Sequence, residues 1–192
     1  MSAYQDFWAG VGERFPDLGG AASTRYYADN EQRLFTEYLA PLAGLRVLKT
    51  DLWDEAKNTR ILAWAAHRGA RAFGIDIAEP TVIQAKAAFA DGTGPLRAAT
   101  ADVRALPFRD GSFDAIYSMG TIEHFDETEQ AVREMARVLR PGGRAWIYDF
   151  RWALDRAERA ARPLAGSSVV RESPLARTSL LNPIGRLVLR PA

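Results

Sequence analysis

Apolar and polar positions change period along the middle of the chain. Arg46-Val47-Leu48-Lys49-Thr50 reads as a short buried strand. A helical stretch follows from about Asp54 to His67, with Ala56, Ile61, Leu62 and Ala65 on one face, and Gly69 closes it. Ala72-Phe73-Gly74-Ile75 predicts a second strand. Pro80 then opens a helix in its first turn, where the missing N–H costs nothing, and Val82, Ala85 and Phe89 supply its apolar face. A weaker strand lies near Leu96–Ala99, and Phe113–Ser118 is a fourth. Asp126 and Glu129 have the spacing of a capping box, with Ala131, Met135 and Val138 behind them as an apolar stripe. Pro141-Gly142-Gly143 ends that helix and Arg144–Tyr148 is the fifth strand.

Strands alternating with helices in this way predict an α/β fold: a doubly wound, Rossmann-like parallel sheet in the order 3-2-1-4-5 with helices on both faces. Its ligand site falls at the carboxyl ends of the strands, near the point where strand order reverses. The remainder divides around this core. Residues 1–44 read as an N-terminal helical cap, with helices near 3–15 and 25–39 and with Tyr27, Leu34, Phe35 and Tyr38 available for packing. Residues 45–150 are the cofactor-binding core. Residues 151–192 read as an Arg-rich helix ended by Pro163 and an irregular tail, with one short strand at Arg186–Leu189.

Composition narrows the chemistry. The 192 residues hold no Cys and two His, which excludes a disulfide framework, thiolate metal sites and a Cys nucleophile. No metal is expected. Net charge is +1, so nucleic acid is not the expected partner. The charge is uneven: residues 151–192 carry eight Arg against three acids, which leaves the first 150 residues acidic. Stretches free of charge reach eight residues, as at 38–45, so no integral membrane contact is expected. With no signal-peptide core near Asp6 and Glu13, a cytoplasmic protein is the default expectation.

Four acids fall just after strand ends: Asp51, Asp76, Asp102 and Glu123. A carboxylate after the second strand can accept hydrogen bonds from both ribose hydroxyls, and one after the third can accept from an adenine amine. The first loop, Thr50-Asp51-Leu52-Trp53-Asp54-Glu55-Ala56, has no Gly and three acids, which disfavours a pyrophosphate and hence NAD, FAD and ATP. A cofactor with ribose, adenine, positive charge and no phosphate suits that rim. S-adenosylmethionine has that description.

Residues 45–149 also resemble class I S-adenosylmethionine-dependent methyltransferases of the small-molecule group. Gly74-Ile75-Asp76-Ile77 is similar to that family's second-strand motif, and Ala101-Asp102-Val103-Arg104-Ala105-Leu106-Pro107-Phe108 to its third. Phe113–Ser118 through Glu123-His124 resembles the fourth, and Val138-Leu139-Arg140-Pro141-Gly142-Gly143 the turn before the fifth strand. The resemblance implies cofactor contacts at Thr50, Asp51, Trp53, Asp76, Ile77, Asp102, Val103 and Met119. It implies methyl transfer to a small-molecule acceptor.

Two departures stand out. The family's first motif is Gly-rich, and here Val47–Glu55 contains no Gly. Asp51 or Asp54 is then available for the cofactor's ammonium, and Trp53 for its thioether or adenine, with core or lid packing of Trp53 as the alternative. The family also closes its sheet with two further strands, which the tail pattern does not supply. These departures leave a second reading open, a non-catalytic methyltransferase-like binding or regulatory domain. His124 is the candidate base for an acceptor proton; capping the following helix or packing beside adenine are its other readings. His67, at a helix end, reads as structural.

Overall fold

The computed structural model describes residues 3–89, 94–164, 168–172 and 184–190. The chain forms two compact units, Met1–Asp102 and Val103–Ala192. The strand order is β3-β2-β1-β4-β5-β7-β6, so the first five follow the expected parallel order 3-2-1-4-5.

In the first unit, β1 (Arg46–Lys49), β2 (Arg71–Asp76) and β3 (Arg97–Thr100) are parallel, with Lys49 level with Gly74 and Asp76 level with Thr100. Val47, Leu48 and Ile75 are fully buried in them, as near-continuous apolar strands of a covered sheet require. The helices are α1 (Ala3–Arg14), α2 (Ala22–Leu39), α3 (Trp53–Lys57), α4 (Ile61–Ala66) and α5 (Glu79–Ala88). α1 meets α5 where Gly12 faces Thr81; a Cβ on Gly12 would lie 2.6 Å from the Thr81 hydroxyl. The buried Lys57 ammonium donates to the carbonyls of Gly12 and Phe15 at the end of α1, where backbone partial charge is negative.

In the second unit, β4 (Phe113–Met119) and β5 (Leu139–Phe150) are parallel. A short 3-10 turn (Ile122–His124) and α6 (Thr128–Val138) connect them, and α7 (Arg151–Ala161) follows β5. Ala131, Val132, Met135 and Val138 of α6 are fully buried, as the apolar stripe requires. The register jumps from Phe113↔Leu139 to Ala115↔Arg144. Pro141-Gly142-Gly143 bulges there: Gly142 has φ +74°, and a Cβ on Gly143 would sit 2.9 Å from the Arg140 carbonyl.

Four expectations are corrected. The helix from Asp54 to His67 is two helices, broken where Arg60 takes a left-handed conformation (φ 55°) and Asn58 turns its amide to Asp54. The capping box does not form. α6 starts at Thr128 without a side-chain cap, because Asp126 pairs with Arg156 and Glu129 with Arg133. The tail supplies both further strands, β6 (Ser168–Glu172) and β7 (Ile184–Arg190), with β7 antiparallel to β5 and to β6. The inner face of α2 is Thr24, Glu31, Phe35 and Leu39, while Tyr27 is exposed. Glu31 is buried on this face, where its charge acts on the buried Lys49.

Candidate functional site

The first loop of the first unit is organised by a lysine. Lys49 ends β1 with a completely buried side chain. Its ammonium donates to Asp51 Oδ1 at 2.6 Å, to the Asp51 carbonyl at 3.2 Å and to Asp54 Oδ2 at 3.1 Å. Burial alone would lower the pKa of this ammonium. Asp51, Asp54, Glu55 and Glu31 around it outweigh burial and hold it above the ordinary lysine value. Asp54 is nearly sealed, and its other oxygen takes the Asn58 amide at 2.7 Å, so it is committed to the loop. Asp51 keeps 17% of its side chain exposed at the rim. Glu55 accepts the Leu62 N–H at 3.0 Å, and burial pushes its pKa up to about 7 against the pull of Lys49.

This loop is tied directly to Asp76 at the carboxyl end of β2. Asp76 Oδ2 accepts the Leu52 N–H at 2.9 Å and Oδ1 accepts the Ala78 N–H at 2.8 Å. Burial raises its pKa to about 6, the two N–H bonds pulling the other way. Leu52 packs over Gly74, where an added Cβ would lie 2.4 Å from Leu52 Cδ2. Gly74 is therefore required by the close approach of the loop to β2. Ala101 N–H bonds the Asp76 carbonyl at 2.9 Å, which brings Asp102 beside the end of β2. Asp51, Asp76 and Asp102 thus follow the carboxyl ends of three parallel strands at one edge. Ile77 is half-buried next to Asp76. Trp53 is half-buried and meets Phe15 edge-on at 5.8 Å.

These residues fit S-adenosylmethionine. Each Asp76 oxygen is committed to one N–H and retains a second acceptor direction, and Asp76 keeps part of its surface accessible, as a pair of ribose hydroxyls requires. Thr50 Oγ1 is buried with no hydrogen-bond partner among the described residues, a polar atom of the kind a ligand satisfies. Lys49 is outnumbered by the carboxylates of Asp51 and Asp54, so the loop remains acidic, which suits a cation and not a phosphate.

In the second unit, Val103 is buried, and Met119 at the end of β4 is half-buried with its sulfur accepting the Tyr117 hydroxyl at 3.1 Å. His124 keeps 38% of its side chain exposed, and its Nε2 lies 3.5 Å from Glu123 Oε1. Behind them Asp149, buried on β5, accepts the N–H groups of Thr121 at 3.1 Å and Ile122 at 3.0 Å through one oxygen, Oδ2. Burial, with the hydrogen bond and charge of Asp149, pushes Glu123 up to about 8. Sequence reasoning missed Lys49 as the centre of the loop. The available signal was a lysine inside an apolar strand with three acids just beyond it, since a buried lysine needs partners. It also missed Asp149, for which the pattern carried no signal.

A parallel sheet with an acidic strand-end edge and a committed β2 carboxylate is an arrangement that suits a nucleoside in an α/β fold. Comparison with known proteins narrows this. A family model described as a methyltransferase domain matches residues 56–147. A Mus musculus protein named a probable tRNA methyltransferase 9B is 53% identical over 57 residues, 28% of this chain and 12% of that protein. A Thermus thermophilus demethylmenaquinone methyltransferase is 41% identical over 83 residues, 43% of this chain and 37% of that protein. This chain therefore matches from 12% to 37% of the length of these two curated relatives. A solved protein from Pyrococcus horikoshii OT3 shares the fold at TM-score 0.72 and 18% identity, covering 95% of this chain and 99% of that one. The likeness is therefore to S-adenosylmethionine-dependent methyltransferases, through a methyltransferase-domain match that spans just under half of the chain.

Proposed function

We propose that this protein transfers a methyl group from S-adenosylmethionine to a small-molecule acceptor in the cytoplasm. The observation that carries the reading is Asp76, an acidic strand-end carboxylate wired to the first loop through Leu52. In this reading residues 45–150 are the cofactor-binding core and residues 1–44 its cap. Asp76 holds the ribose hydroxyls, and Ile77 and Val103 pack on the adenine, whose amine bonds Asp102. Thr50, Asp51 and Trp53 serve the amino-acid end, and Met119 completes the contacts. When bound, the cofactor supplies an activated methyl carbon. The protein's part is then to orient the acceptor, exclude water and remove a proton, for which His124 is assigned. A small molecule is favoured over nucleic acid by the acidity of the first 150 residues, even though the names of several relatives refer to tRNA.

Calorimetric titration with S-adenosylmethionine and, separately, with NAD tests the reading. Binding of the first and not the second is expected. No binding of S-adenosylmethionine at millimolar concentration would favour the non-catalytic domain. Transfer of label to bulk tRNA would overturn the small-molecule acceptor.

A further inference from the structure

The Glu123 side chain is 15% exposed, yet its Oε2 atom is buried and has no hydrogen-bond donor among the described residues. Its neighbour is another carboxyl group, that of Asp149. Two facing carboxylates offer only acceptors to each other and repel. Asp149 is already committed as an acceptor, because Oδ2 takes the Thr121 and Ile122 N–H groups and fixes the turn. One proton between the two acids satisfies the orphan oxygen and removes the repulsion. Glu127 pairs with Arg104, and Asp126, just before α6, pairs with Arg156. His124, on the same turn, has its Nε2 3.5 Å from Glu123 Oε1.

We propose that Glu123 and Asp149 share a single proton, and that this pair is the positioning element for His124, fixing its turn and placing one negative charge beside the imidazole. The use of that charge rests on the reading of His124 as the base. It narrows the acceptor to one whose attacking atom carries a hydrogen, such as a hydroxyl, a phenol or an enol. The acceptor atom bonds the methyl carbon, the carbon–sulfur electron pair stays on sulfur, and the acceptor's proton passes to the imidazole. The imidazolium is then balanced by the pair's one negative charge. Glu123 and Asp149 act through His124 and touch neither reactant.

The test counts charges and needs no acceptor. The protein has two histidines, His67 and His124, so the titration of each ring is followed by NMR, with His67 as internal reference. Glu123→Gln leaves Asp149 ionised, and Asp149→Asn leaves Glu123 ionised. An asparagine oxygen in the place of Oδ2 also keeps both backbone bonds. Each single variant therefore retains one negative charge, at its own distance from the imidazole, so the two single-variant shifts of the His124 midpoint sum to well below the shift of the double variant. The double variant has none, and the midpoint falls by at least about half a pH unit, as expected for one charge 3.5 Å away even at water's dielectric constant. In carboxyl 13C spectra the parent shows a step near pH 8 that both single variants lack. Single-variant falls of the His124 midpoint that add up to the fall of the double variant would mean that both acids are ionised, and would overturn the shared proton. An unchanged midpoint in a folded double variant would overturn the link to His124. Neither readout uses S-adenosylmethionine, so failure here and failure of the cofactor reading are distinguishable.

Discussion

Replacing Asp76 by asparagine tests the cofactor assignment most directly, and the structure sets its size. The carboxylate takes two backbone N–H bonds, from Leu52 at 2.9 Å and from Ala78 at 2.8 Å. Asparagine has one oxygen, so one bond is kept and an amide NH2 is set against the other N–H. Loss of a hydrogen bond to a charged group costs about 1.5–3 kcal/mol, which a domain stable by roughly 5–15 kcal/mol survives. The ribose hydroxyls lose one or two bonds of the same kind. Affinity for S-adenosylmethionine should then fall about ten- to a thousand-fold, at about 1.4 kcal/mol per decade. The pKa of Asp76 near 6 adds a second dimension. Below pH 6 the parent side chain is itself neutral, so the gap between parent and variant should be wide at pH 8 and narrow at pH 5. The same value fixes the sign for stability. The native state holds this proton longer than the unfolded chain, so the contribution is complete below the ordinary 3.8 and is lost as pH rises through 6. Calorimetry at both pH values on parent, Asp76→Asn and the control Asp110→Asn makes the measurement. Asp110 is 80% exposed and pairs with Arg137, so its change should stay within about twofold, a surface pair contributing little. Equal affinity of parent and Asp76→Asn at pH 8 would refute the ribose assignment. A gap of the same size at pH 5 would refute the role of charge.

Lys49→Met should destabilise the protein by about 3–5 kcal/mol in urea unfolding, because it strands the carboxylates of Asp51 and Asp54 without their cation; a loss under about 1 kcal/mol would show that the buried pair is dispensable. Gly74→Ala should cost about 1–3 kcal/mol by thermal melt, since the new Cβ meets Leu52 Cδ2. Combined with Leu52→Ala it should cost clearly less than the two single changes added together, and strict additivity would show that Leu52 is not what holds position 74 to glycine.

Much of the fold was legible because it lies in local pattern. β1, β2 and β4 carry apolar runs whose length and boundaries are strand-like, and α6 carries a stripe at helical spacing. What failed depended on partners distant in sequence. Asp126 and Glu129 have the right spacing for a cap, but Arg156, thirty residues on, takes the first. The helix break at Asn58–Arg60 is set by the packing around Asp54 and not by a proline or glycine. The short strand read at Arg186–Leu189 lies within β7, which pairs with β5, but β6, which pairs with β7, was not legible because single-strand periodicity says little about such pairing. The site divides in the same way. Asp76 and Asp102 follow strands that sequence could place. The grip of Lys49 on Asp51 and Asp54, and the meeting of Glu123 with Asp149, exist only once the chain is folded.

The grip of Lys57 on the end of α1 has a consequence for how this chain changes over time. The Gly12 and Phe15 carbonyls stand in for the water that an ammonium would otherwise need. The N-terminal helix is therefore solvent to a buried charge as much as it is a cap. A descendant that discards or reshapes α1 inherits a dry, unaccompanied cation at position 57, and one that first replaces the lysine by an apolar residue frees the helix to drift. Residue 57 and the first fifteen residues are thus bound to vary as one unit, though more than forty positions of sequence lie between them.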